Sequence, residues 1–168
     1  MQRRSLLKLG AASAAVLALA GGGVALMQPG LSGGRLTPGA RDVFAAVGCA
    51  ILEGTLPSDE GARQISVNGL LERIDSLVAG LPLHAQAELS QLLALLSSGG
   101  GRRVLAGLGP DWPRATAGEV QQALQAMRVS TLALRRQAYQ ALHDIVGSAY
   151  FADAGTWPVL GYPGPLKI

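Results

Sequence analysis

The sequence predicts an all-α fold: a small bundle of about five helices closed by an irregular Trp- and Pro-rich C-terminal tail. Three observations predict it. Apolar residues recur at three- and four-residue spacing in successive windows, each window is bounded by glycine, proline or a polar cap, and no segment alternates polar and apolar residues between hairpin turns. At 168 residues, 49% hydrophobic and 15% charged, the chain has apolar material for one core and too much of it to stay disordered.

The elements follow in order. Thr37-Pro38 offers an N-cap with proline at the first helical position, and Val43, Phe44, Val47, Ala50, Ile51 and Leu52 form a stripe that Gly54 and Pro57 stop. Ser58 to Gly61 reads as a polar turn, after which Leu70, Leu71, Ile74, Leu77 and Val78 make a short amphipathic helix ended by Gly80 and Pro82. From Leu83 a third stripe, Leu89, Leu92, Leu93, Leu95 and Leu96, runs to Ser97-Ser98 and the glycines 99 to 101. Thr116-Ala117-Gly118-Glu119 fits a capping box, in which the Thr hydroxyl accepts from the N3 amide and the Glu carboxylate accepts from the cap amide, so a fourth helix starts there with Val120, Leu124 and Met127. Ser130 or Thr131 can cap a fifth, longer helix on which Leu132, Ala138, Tyr139, Leu142, Ile145, Val146, Ala149 and Tyr150 keep the 3.6 period, with Arg135 as the one interruption. Residues 152–168 hold Trp157, Tyr162 and prolines 158, 163 and 165, and are expected to be irregular.

The N-terminus reads as an export leader over residues 1–27, joined by a flexible Gly/Pro linker at 28–36 to a helical domain at 37–168. Arg3, Arg4 and Lys8 precede an uncharged Ala/Leu run, and Arg3-Arg4-Ser5-Leu6-Leu7-Lys8 resembles the twin-arginine motif. The weak hydrophobicity of the run and its Gly21-Gly22-Gly23 break suit that route better than general secretion. Ala18 and Ala20 place small residues at −3 and −1 of a cleavage site, and Gly23-Val24-Ala25 is a second choice. Leu9 to Met27 is 19 residues long, about 28 Å as a helix, so a retained anchor is the alternative to cleavage. The same three basic residues carry the whole net charge of +3, leaving 11 basic and 11 acidic residues after position 28. A neutral body has no polycationic face for a phosphate backbone, which argues against a nucleic-acid partner.

Residues with catalytic potential are few. The single Cys49 excludes an intramolecular disulfide and a cysteine-cluster metal site, and within the first helix it reads as a buried structural thiol. His84 and His143 each lack a second histidine at the i+4 spacing and read as surface or cap residues, with His143 and Asp144 assigned to different helix faces. Gly99 to Arg103 and Gly107-Leu108-Gly109 lack Walker spacing and a preceding strand, which leaves a plain flexible connector rather than a phosphate loop. No haem-attachment motif occurs, and no catalytic, cofactor-binding or metal residue is predicted in this chain.

The C-terminal third carries a resemblance. Arg135-Arg136-Gln137-Ala138-Tyr139, then Ala149-Tyr150-Phe151-Ala152-Asp153, Thr156-Trp157 and Leu160-Gly161-Tyr162-Pro163-Gly164-Pro165 are similar in order and spacing to the end of the gluconate 2-dehydrogenase subunit 3 family. Ile51-Leu52-Glu53 to Leu56-Pro57 resembles, more weakly, the step after that family's first helix. The resemblance implies a small helical subunit with a twin-arginine leader, part of a periplasmic, membrane-associated dehydrogenase. It also implies a large FAD-bearing partner of the glucose-methanol-choline oxidoreductase type, often with a cytochrome c subunit that carries haem c. Tyr150, Trp157, Tyr162, Pro163, Gly164 and Pro165 are the candidate partner interface, because large amphipathic residues are enriched at interface cores and proline lowers the ordering cost of a tail. Two alternatives stand beside it. The tail can cover the chain's own helices, and the chain can be a stand-alone periplasmic or membrane-anchored helical binding protein.

Overall fold

A computed structural model describes residues 28–162. The leader residues Arg3, Arg4, Leu6, Leu7, Lys8, Ala18 and Ala20, and the tail residues Pro163, Gly164 and Pro165, lie outside the described residues. Within them the fold is all-α, with five helices of 12 to 20 residues: α1 (Pro38–Ile51), α2 (Glu60–Ala79), α3 (Leu83–Ser97), α4 (Ala117–Arg128) and α5 (Ala133–Phe151). Helix α1 is the central one. It packs against each of the other four, while α2 and α4 each also lie against α5.

That arrangement follows from the stripes. Val43, Phe44 and Val47 of α1, Leu70, Ile74 and Val78 of α2, Leu93 and Leu96 of α3, Val120 and Met127 of α4, and Leu142 and Val146 of α5 are all sealed from solvent. A side chain of this size contributes roughly 1.5–3 kcal/mol when it leaves water, so these rows are what drives the helices together. The capping box at α4 forms as its sequence dictates: Thr116 Oγ1 accepts from the Glu119 amide, and the Glu119 carboxylate accepts from the Thr116 amide at 2.8 Å. At α2 the cap is Asp59, whose carboxylate accepts from the Ala62 amide, so the helix runs for 20 residues and is not the short element its apolar stripe suggests. Helix α5 starts at Ala133 after Leu132, with no side-chain cap from Ser130 or Thr131.

Residues 28–36 are not a free linker. Leu31–Ser32 (β1) and Arg35–Leu36 (β2) pair antiparallel, with Leu31 opposite Leu36, across a Gly33-Gly34 turn in which both residues have positive φ. Two consecutive left-handed residues define the tight turn that suits strand twist, and glycine adopts them without strain. The hairpin is then fastened to the bundle. Gly30 N–H donates to Ser90 O, Leu31 N–H to Ser90 Oγ, and Leu36 N–H to Asp75 Oδ1. Asp75 Oδ2 also holds Arg41 at 2.8 Å. The Thr37 hydroxyl turns back to the Pro29 and Gly30 carbonyls instead of capping α1.

The glycine-rich connector is likewise ordered. Gly99–Gly101 forms a helical turn that leads directly into a π-helical turn at Arg102–Ala106. A Cβ on Gly101 would lie 2.1 Å from the Leu95 carbonyl oxygen, so the run passes where only glycine fits. Arg102 is 5% exposed and pairs with Asp111 at 2.7 Å. Trp112 follows, buried, with its indole N–H donated to Leu96 O at 2.7 Å. Arg135, the interruption in the α5 stripe, reaches this segment and donates Nε to Leu105 O.

Candidate functional site

The chemistry-bearing side chains of the body stay apart. Among the described residues no three His, Cys, Asp or Glu side chains converge to hold a metal ion. His84 and His143 are exposed. His143 Nδ1 approaches Asp144 Oδ1 at 3.3 Å, so those two side chains meet on one surface and do not diverge. Cys49 is half-buried, and burial pushes its thiol up, with Arg63 opposing and Glu60 adding to the shift. The glycine run offers no phosphate cradle of the usual kind, because it follows a helix and the Gly101 N–H is taken by Ser98 Oγ.

What remains distinctive is the end of the chain. On α5 the stripe Leu142, Val146, Ala149 and Tyr150 is buried, and the next residue, Phe151, turns out to solvent at 45% exposure. Tyr150, a candidate for partner contact, is therefore a core residue. Its position four after Val146 puts it on the buried face, where at 5% exposure it supports the surface from beneath and does not form part of it.

From Asp153 to Tyr162 the chain is not irregular, nor is it extended around Pro158. Residues Ala154–Leu160 wind into a 3-10 helix that includes Pro158 and ends at Gly161, which has φ of 70°. Asp153 starts this turn by accepting from the Gly155 amide through Oδ1 at 2.9 Å. The turn then satisfies the helix end it follows. The last carbonyls of a helix have no partner within it. Here the Thr156 hydroxyl donates to Tyr150 O at 3.1 Å, the Trp157 indole N–H donates to Phe151 O at 2.9 Å, and Arg73 Nε, from α2, donates to Ala149 O at 2.9 Å.

The aromatic rings lie outside the core, Trp157 half-buried and Tyr162 exposed. Trp157 and Tyr162 meet edge to face, with centroids 5.4 Å apart and planes at 61°, and Tyr162 is 48% exposed. Neither belongs to the main core. Beside them lies a shallow hollow lined by Ala154, Trp157, Pro158, Gly161 and Tyr162, with no charged side chain in its wall. Since the indole N–H is already spent on Phe151, a visitor to this hollow meets mainly ring faces and edges, with the Tyr162 hydroxyl as the side-chain donor in its wall. Phe151 adds a second exposed ring, edge-on against buried Tyr150 at 5.4 Å. The arrangement can anchor an apolar group from a partner. It holds no nucleophile, acid–base pair or metal ligand set.

No protein-family model matches the chain, and no curated protein or solved structure matches it either. Among the described residues no helix is long and apolar enough to cross a membrane.

Proposed function

We propose that this chain is the non-catalytic small subunit of a periplasmic, FAD-dependent dehydrogenase of the glucose-methanol-choline type. In this reading it escorts the large subunit through the twin-arginine route and then stabilises it. The observation that carries the reading is the closing pattern from Arg135 through Trp157 to Gly161-Tyr162-Pro163-Gly164-Pro165, joined on one chain to the leader pattern Arg3-Arg4 to Lys8. The Trp157–Tyr162 pair supports it, since a half-buried Trp and an exposed Tyr outside the core at a helix end are the residue types that anchor interfaces.

The physical logic is one of order. Flavin is inserted into the large subunit before export, and the twin-arginine route carries folded cargo, so one leader on the small chain serves both proteins once they have assembled. Electrons taken from substrate by FAD in the large subunit pass to a cytochrome c subunit where one is present. Substrate selectivity then lies in the large subunit, not in this chain. The test is purification of the tagged full chain from the cell envelope. A co-eluting large protein with flavin absorbance is the expected result, and a chain that elutes alone and colourless contradicts it.

A further inference from the structure

The tail that carries the aromatic pair is tied to the bundle by a residue 80 positions earlier in the chain. Arg73 lies on α2, beside the buried Ile74, and its guanidinium spans two targets. Nε donates to Ala149 O at the end of α5, and Nη1 donates to Asp153 Oδ2 at 3.1 Å. Asp153 uses its other oxygen to cap the tail turn at Gly155. One carboxylate thus meets the bundle with one oxygen and starts the turn with the other.

We propose that Arg73 is the positioning residue of the tail: its fork to Ala149 O and Asp153 sets the direction in which residues 154–162 leave α5, and so the placement of Trp157 and Tyr162 toward a partner. The core cluster does not hold the two rings, since both stand outside it. The remaining polar contacts of the turn, from Thr156 and Trp157, reach only Tyr150, Phe151 and Asp153, the residues just before it. Arg73 is the polar contact that refers the turn to a different helix. With the two side chains 29% and 42% exposed, the ion pair adds little to global stability, so its effect falls on local order. The fork geometry is specific to arginine, since a lysine ammonium is a single point of donors on a flexible stem.

The consequence for partner binding rests on the function proposed above, whereas the consequence for tail order does not. Amide hydrogen exchange on the full chain reads the second. In Arg73→Gln the amides of Gly155, Thr156, Gly161 and Tyr162 are expected to lose protection on the order of tenfold while α1 and α4 amides keep theirs. Asp153→Asn, which keeps the capping oxygen but removes the charge, is expected to do the same, and the double variant to add little. Arg73→Lys is expected to restore part of the protection. Unchanged tail protection in Arg73→Gln overturns the proposal, and so does a loss shared equally by the core amides, which would mark a general structural role. In parallel, capture of the flavoprotein by tagged wild type and by Arg73→Gln reads the first consequence, with several-fold weaker capture by the variant expected. A wild-type chain that captures no flavoprotein refutes the proposed function, while the exchange result still decides the role of Arg73.

Discussion

Replacing Trp157 by alanine separates a partner-facing residue from one that serves only its own fold. The indole donates one hydrogen bond to Phe151 O and makes one edge contact with Tyr162. An aromatic edge contact of this kind adds about 0.5–1.5 kcal/mol and an exposed hydrogen bond a similar amount, so about 1–3 kcal/mol bounds the loss within the chain. Because both rings lie outside the core, most of that loss is local fraying, and the global Tm is expected to fall by less than about 3 °C. Trp112→Ala is the contrast. Trp112 is 3% exposed and bonded to Leu96 O inside the core, so its removal is expected to cost about 3–5 kcal/mol and to lower Tm by about 10–20 °C. An interface anchor truncated to alanine loses about 2–4 kcal/mol of binding, about 30- to 1,000-fold in Kd. Thermal melts followed by circular dichroism, together with capture of the flavoprotein, make the comparison. If Trp157→Ala melts as low as Trp112→Ala yet captures the partner as well as wild type does, the ring serves its own domain and the reasoning fails.

Two further outcomes follow from the body of the fold. Gly101→Ala places a Cβ 2.1 Å from Leu95 O and is expected to destabilise by at least about 2 kcal/mol, whereas Gly100→Ala, with open space around it, is expected to be neutral or to stabilise by about 0.5–1 kcal/mol; equal melts would refute the ordered turn. Glu119 is held below the usual carboxylate range by hydrogen bonds from the Thr116 amide and then its hydroxyl, so its contribution is present above the ordinary glutamate pKa and is lost as pH falls through the lowered folded value. The stability gap between wild type and Glu119→Gln should therefore close in acid, and a gap that stays constant with pH contradicts this assignment.

The helices were legible because each carries its own message. The 3.6 period of Leu142, Val146 and Ala149 gives the buried face of α5, and Thr116 with Glu119 marks a helix start within four residues. Tyr150 belongs to that same period, and the period overrides its attraction as an interface residue. What the sequence conceals depends on distant partners. The hairpin at 31–36 has strands of two residues, too short to alternate, and it is fixed by Ser90 and Asp75. Gly99 to Gly101 reads as a loop because glycine disfavours helices, yet the close approach of Leu95 O requires a residue without a side chain. Trp112 lies between Pro110 and Pro113 on no apolar stripe, so its burial in the gap beside α3 has no local signal. Of the candidate site, Trp157 and Tyr162 were visible as a Trp and a Tyr in a proline-bearing tail. The compact turn that joins them, and the hold of Arg73 on Asp153, were not, since that pairing spans most of the described chain.

The claim that this chain carries a partner across the membrane is tested most directly by converting Arg3 and Arg4 to lysine and measuring where the flavoprotein resides. Lysine keeps the charge of the leader and removes the arginine pair itself, so a general electrostatic requirement is left intact. Flavin-dependent dehydrogenase activity, the large subunit and the small chain are then quantified together in periplasmic, membrane and cytoplasmic fractions. The account predicts that both proteins disappear from the periplasm and its membrane face, and that flavin-loaded large subunit accumulates in the cytoplasm. Periplasmic activity that persists at the wild-type level with the lysine pair in place would contradict it.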